Sequence, residues 1–372
     1  MKTPARPLVL AALAFGLLST GVRAALTDGM TEGKPAFKSM SQITFGPDGV
    51  LFVADAKSAA IFAIATEDTK AAPDGATIKI EGLNQKIAAL LGTEAAQIKI
   101  NDLAVNPISR QAYLTVSRGT GPDAVPVLLR VKADSKLEAV SLEKVKYSRA
   151  ELPDPPVDGL VGNGRQQQNR RLQSITDLAY NDGRVIIAGL ANEEFSSTLR
   201  SIPFPFKTAV AGTTVEIFHT SHNRFETQAP VLTFVAYSVA KEQKLLAAYL
   251  CTPLVEFALN DLKPGAKIQG KTIAEFGNGN LPLDMIVYQK EGKDYLLLTN
   301  SARGVMKVAA EQVAGAPALT ERVPNIGGLA FTKVDWTGVD QMDRLDGRSA
   351  LVVRRPGADA SVLNNLETLA LP

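Results

Sequence analysis

Gln42-Ile43-Thr44-Phe45-Gly46-Pro47-Asp48-Gly49-Val50-Leu51-Phe52-Val53-Ala54 contains the unit from which the rest of the chain is read. A short apolar strand runs into a Gly-Pro-Asp-Gly turn, and a second apolar strand follows it. Glycine and proline supply the positive or fixed φ that a tight reversal needs. After a short loop, residues 59–65 read as a third strand.

The same arrangement recurs five more times. The second copy runs through 102–105, a turn at 106–110, 112–116 and 126–131. The third uses 175–180, the turn Asn181-Asp182-Gly183, 185–189 and 198–202. The fourth comprises 232–237, 245–250 and 254–259, and the fifth 283–288, 295–299 and 304–308. The sixth comprises 326–331, 350–353 and 361–366, with a long insert around Trp336. Residues 76–81, 137–142, 214–218 and 272–276 read as fourth strands of the units they follow. Short strands in repeated groups of three or four point to an all-β fold, a β-propeller of six four-stranded antiparallel blades. Each small sheet has two faces to bury, and packing against both neighbours in a ring buries them. A two-sheet sandwich is the structural rival. Residues 83–91 have helical spacing with Gly92 as a stop, so a short helix is expected there. Closure is open to residues 25–41 or 366–371, and 143–174 has room for a degenerate seventh blade.

The stretch from Ile43 to Asp55, followed by Ala60-Ile61-Phe62-Ala63-Ile64, resembles a blade of the NHL/YVTN-type propeller superfamily. Residues 295–300 with Gly304-Val305-Met306-Lys307-Val308 echo it more faintly. The resemblance implies the fold and leaves activity open, because such propellers serve as enzymes and as binding scaffolds. The Glu/Asn/Asp metal set of gluconolactonase-like propellers has no match here, nor does the Arg-Asn-x-Gln-Gly stretch of soluble quinoprotein sugar dehydrogenases.

The amino terminus reads as an export signal, residues 1–24. Lys2 and Arg6 precede an uncharged, mostly apolar run at 7–22, and Val22-Arg23-Ala24 suits cleavage after Ala24. An uncleaved anchor is the alternative, although the run is short for a span of about 20 residues. The expected product is a single soluble propeller domain, 25–372, periplasmic or secreted, with no stable membrane insertion. Cleavage removes Lys2, Arg6 and Arg23 from 40 basic residues and none of the 38 acidic ones, so the mature charge is close to neutral. That balance excludes nucleic acid as the main partner. Cys251 is the one cysteine, so stability must come from the core and not from internal disulfides.

In a propeller, the loops between second and third strands share a face with the blade-to-blade connections. The repeat therefore assigns Asp55, Arg118, Glu193, Asn300, Arg303 and Arg355 to a loop face that can meet a small molecule or a protein. Both histidines lie in one connection, His219-Thr220-Ser221-His222-Asn223-Arg224-Phe225-Glu226, and Cys251 belongs to the blade that follows it. Imidazole is the commonest transition-metal ligand and the side chain best suited to proton exchange near neutral pH. A thiolate beside two imidazoles favours zinc or copper. His219, His222, Glu226 and Cys251 are accordingly the candidate metal ligands. The alternative places the histidines in hydrogen bonds to neighbouring loops, with Cys251 a small core thiol.

Three functions follow: a ligand- or partner-binding propeller, a propeller enzyme, or a metal-handling protein using the His/His/Cys face. The enzyme would be a metal-assisted, lactonase-like hydrolase or a quinone-dependent dehydrogenase. Its catalytic candidates are His219, His222, Arg303 and Arg354, the arginines steadying anionic oxygens.

Overall fold

The computed structural model describes residues 26–162, 167–208, 211–239, 242–355 and 364–372. The expected leader lies outside them. Six sheets surround a central channel, each offering its first strand to the channel wall. Among the described residues no helix is long and apolar enough to cross a membrane.

Blade 1 is built from Ile43–Phe45, Val50–Asp55, Ala60–Ala65 and Val145–Glu151, with Thr31–Gly33 added outside. Blade 2 uses Ile98–Val105, Ala112–Arg118, Val125–Val131 and Leu137–Ala139. Blade 3 uses Asp177–Asn181, Arg184–Leu190, Ser197–Pro203 and Thr213–His219. Blade 4 uses Thr233–Val239, Glu242–Ala248, Pro253–Ala258 and Lys271–Phe276. Blade 5 uses Pro282–Lys290, Lys293–Asn300, Gly304–Ala309 and Thr332–Val334. Blade 6 uses Val339–Arg344, Ser349–Arg354, Asn365–Ala370 and Lys79–Ile80.

The core explains why the strand sequences run apolar without alternation. All six residues of Val50–Asp55 are buried. Leu51 and Val53 pack with Ala104, Tyr113 and Leu128 of blade 2. Val50, Phe52 and Ala54 point the other way, into Leu178, Val185 and Ile187 of blade 3. Both faces of the strand are therefore core, which removes the polar half of the usual period-two pattern.

Those contacts also order the ring. Blade 1 sits between blades 2 and 3, and blade 2 meets blade 6 through Leu114 and Val116 against Leu351 and Val353. Blades 3, 4 and 5 share one cluster, and blades 5 and 6 another. The ring therefore runs 1, 3, 4, 5, 6, 2. After its third strand, the chain leaves blade 1, adds Lys79–Ile80 to blade 6, and forms the helix Leu83–Leu91. It then builds blade 2 and returns to give blade 1 its fourth strand.

Several expectations are corrected by this path. Residues 76–81 contribute an outer strand to blade 6 and not to blade 1. The fourth strand of blade 1 comes from Val145–Glu151, and 143–174 holds no seventh blade among the described residues. The inner strand of blade 6 is Val339–Arg344, whereas Ile326–Gly328 joins the outer edge of blade 4. Polar and bulged, Val339–Arg344 hides its strand character, while the apolar run at 326–331 imitates it.

Four aspartates stitch neighbouring blades across the channel wall. Asp177 Oδ2 accepts the Phe234 amide at 2.7 Å, and Asp284 Oδ2 accepts that of Met342 at 2.7 Å. Asp343 Oδ2 accepts the Val105 amide and Asp102 Oδ2 that of Ile43, each at 2.7 Å. Burial raises all four carboxyls, Asp177 to about 7 and Asp343 to about 6.

Candidate metal centre

The outer strand of blade 3, Thr213–His219, reverses over Thr220–Asn223 and returns as Arg224–Glu226. Asn223 takes the left-handed conformation the reversal requires (φ 54°), which asparagine tolerates better than most residues. Ile217 pairs with Glu226 and His219 with Arg224. Alternation along the strand puts His219 on the same side as Ile217, and hence beside Glu226.

Glu226 grips both rings. Its Oε2 lies 2.8 Å from His219 Nδ1 and its Oε1 2.7 Å from His222 Nδ1, while Arg224 Nε donates to Oε1 at 2.9 Å. The ring centroids are 4.1 Å apart. Burial pushes the Glu226 carboxyl up, but the hydrogen bonds from His219, His222 and Arg224 outweigh it and hold the group near about 2. Burial lowers the His219 pKa and outweighs the opposing pull of Glu226. With Nδ1 of both rings turned to the Glu226 carboxylate, Nε2 is the ring atom left to face a metal. His219 Nε2 is buried and among the described residues has no hydrogen-bond partner.

Cys251 reaches the same place from blade 4. The turn closes with Thr252 N–H donating to the Tyr249 carbonyl at 2.8 Å, and both Cys251 (φ 66°) and Thr252 (φ 61°) are left-handed. Two adjacent non-glycine residues in that region cost on the order of 1–3 kcal/mol each. The turn holds because Cys251 N–H donates to the Asn280 carbonyl at 2.9 Å and Thr252 Oγ1 to the Gly277 carbonyl at 3.0 Å. One donor atom each from His219, His222 and Cys251 lies within 4.8 Å of the others. Bonds of about 2.0–2.3 Å place tetrahedral donors about 3.3–3.8 Å apart, so small side-chain rotations close the site.

Both oxygens of Glu226, an expected ligand, are engaged by ring Nδ1 atoms, which leaves the carboxylate behind the two imidazoles. Asp55 is fully buried and accepts the Lys38, Ser39 and Ser58 amides and the Ser39 hydroxyl, which ties its turn to the segment that precedes blade 1. Asn300 is likewise consumed, receiving Asn280 Nδ2 and donating to the Leu298 and Gly304 carbonyls. Arg354 pairs with Glu367 across a strand ladder. Arg118, at the end of a blade 2 strand, donates to the Leu91 carbonyl at the end of the helix, and Glu193 is exposed on the blade 3 loop. Arg303 and Arg355 do share a cavity of about 520 Å³ with Trp336, between blades 5 and 6. Arg303 bonds Asn325 there, and Arg355 pairs with Asp340.

Glu275 has no motif to announce it. It is fully buried at the end of a blade 4 strand, accepts the Thr220 hydroxyl at 2.7 Å on Oε2, and among the described residues has no partner for Oε1. Burial raises it to about 7.

No protein-family model and no curated protein matches this chain. Solved structures with a similar arrangement include the PQQ-bound aldose sugar dehydrogenase of Streptomyces coelicolor, at 11% identity and a TM-score of 0.34 over 92% of this chain and 97% of that one. A putative glucose dehydrogenase of Thermus thermophilus aligns at 11% identity and 0.35 over 92% and 100%. A protein of unknown function from Dyadobacter fermentans aligns at 9% and 0.37 over 92% and 99%. Likeness of that degree transfers no activity, and NHL/YVTN membership does not follow from the blade resemblance without a family match. The six-bladed fold rests on the sheets themselves.

Proposed function

We propose that this chain is an exported β-propeller that holds a zinc or copper ion on its loop face through His219, His222 and Cys251. The observation that carries the reading is the convergence of these three donors from two blades, with Glu226 behind both imidazoles. Coincidence is a weak account of it. The chain has two histidines and one cysteine, and all three meet. Nitrogen and thiolate donors select zinc or copper over magnesium or calcium, and three protein ligands leave a position for water or a ligand. Export follows from the basic start, apolar run and cleavage pattern of residues 1–24.

Elemental analysis of the purified mature protein tests the centre. One zinc or copper per chain is expected, with at least a hundredfold loss of affinity in a His219→Ala/His222→Ala double variant. Cobalt(II) loading should give the intense visible bands of a tetrahedral thiolate site, and these should vanish in Cys251→Ser. A protein that takes up no stoichiometric metal, or a double variant that binds as well as the parent, overturns the reading. Amino-terminal sequencing of the exported protein should begin at Ala25.

A further inference from the structure

Beside the metal donors lies a cavity of about 600 Å³ made by the connection entering blade 3, the His219–Pro230 connection, and two loops of blades 4 and 5. Its size is that of a small-molecule site. Three large apolar side chains are left in solvent around it: Phe225 at 54% exposure, Leu250 at 47% and Leu281 at 42%. Each is sequence-adjacent to a residue that builds the metal centre: Phe225 to Glu226, Leu250 to Cys251, and Leu281 to Asn280, whose carbonyl holds the Cys251 turn. Exposed apolar residues scattered singly need no explanation, but three gathered around one concavity do.

The polar lining has a sign. Arg170 and Arg224 face Glu226 alone among the ionisable residues of the wall, leaving one excess positive charge. Arg170 is pinned by bonds to the Ser196 hydroxyl at 2.7 Å and the Gln228 carbonyl at 3.3 Å. Arg224 spends Nε on Glu226, and among the described residues its terminal nitrogens take no partner. A free guanidinium fork above an apolar floor is complementary to a carboxylate carrying a hydrocarbon body.

We infer that this cavity binds a small apolar carboxylate, with its tail against Phe225, Leu250 and Leu281 and its carboxylate on Arg224. The pocket uses side chains other than the metal donors, so it stands or falls separately from the metal reading.

Calorimetric titration of the full mature protein with octanoate and with 1-octanol, before and after metal removal, tests the inference. Octanoate should bind saturably at one site with or without metal, and at least tenfold tighter than octanol. Leu281→Asp should weaken octanoate at least tenfold while leaving metal content unchanged, and Arg224→Gln should reduce octanoate to the affinity of octanol. Octanoate binding by a protein that takes up no stoichiometric metal when metal is supplied would support the pocket while removing the metal centre. Absence of saturable binding, equal affinity for the two probes, or an unaffected Leu281→Asp variant overturns the inference.

Discussion

Replacing Asp177 by asparagine should flatten the pH dependence of stability. Asp177 is buried in the channel wall, with Oδ2 on the Phe234 amide and Oδ1 on its neighbour Leu178, both at 2.7 Å. Burial raises its pKa from 3.8 to about 7. A carboxyl whose folded pKa is raised holds its proton in the native state after the unfolded chain has lost it. Stability is therefore greatest near and below the unfolded value and declines as pH rises through the folded one. Between pH 5 and pH 8 the unfolded form gains about 4 kcal/mol from releasing this proton and the native form about 1.4, so Asp177 removes about 2.6 kcal/mol of stability. Asparagine abolishes that difference. It also turns an amide group towards a backbone donor, at about 1–3 kcal/mol at every pH, so absolute stability is the wrong readout. Urea unfolding of parent and variant at pH 5 and pH 8 supplies the right one. The decline over this interval should be smaller in the variant by about 2–3 kcal/mol. An equal decline in both proteins would mean that Asp177 is ionised at little cost, and the reading that burial in the channel wall raises its carboxyl would fail.

Other outcomes are equally specific. Glu226→Gln should lower zinc affinity about 10–100-fold with donors intact, measured by chelator competition, because the rings lose the carboxylate that sets their tautomer. Cys251→Gly should abolish the thiolate bands of the cobalt-loaded protein yet change metal-free stability by less than about 1 kcal/mol, since relief of the left-handed strain offsets lost burial. Gly189→Ala should destabilise by about 2–4 kcal/mol in thermal or urea unfolding, because its Cβ would lie 2.1 Å from the Ser174 carbonyl oxygen, a backbone atom that cannot swing away.

Much of the centre was legible in the chain. The spacing of His219, His222 and Glu226 in one connection, and the place of Cys251 in the following blade, were enough to bring them to one sector. The two-sided contact of Glu226 was not legible, because spacing alone does not say which atoms of the carboxylate and the rings face one another. Glu275 was hidden for a related reason: its character comes from burial beside Thr220, far away in sequence. Phe225, Leu250 and Leu281 look like ordinary strand-end residues until three loops place them around one cavity.

Local pattern and turn chemistry by themselves determined that this chain makes short strands in repeated groups with a helix at Leu83–Leu91, and left the blade count to closure of the ring. Those properties depend on residues near one another, as the strand, turn and strand from Gln42 to Ala54 show. Tertiary structure alone decided the ring order 1, 3, 4, 5, 6, 2, the donation of Lys79–Ile80 to blade 6, and the return of Val145–Glu151 to blade 1. A blade edge accepts any strand with free amides and carbonyls, and apolar faces of one blade resemble those of the next. Which partners meet is settled by the packing of the whole ring.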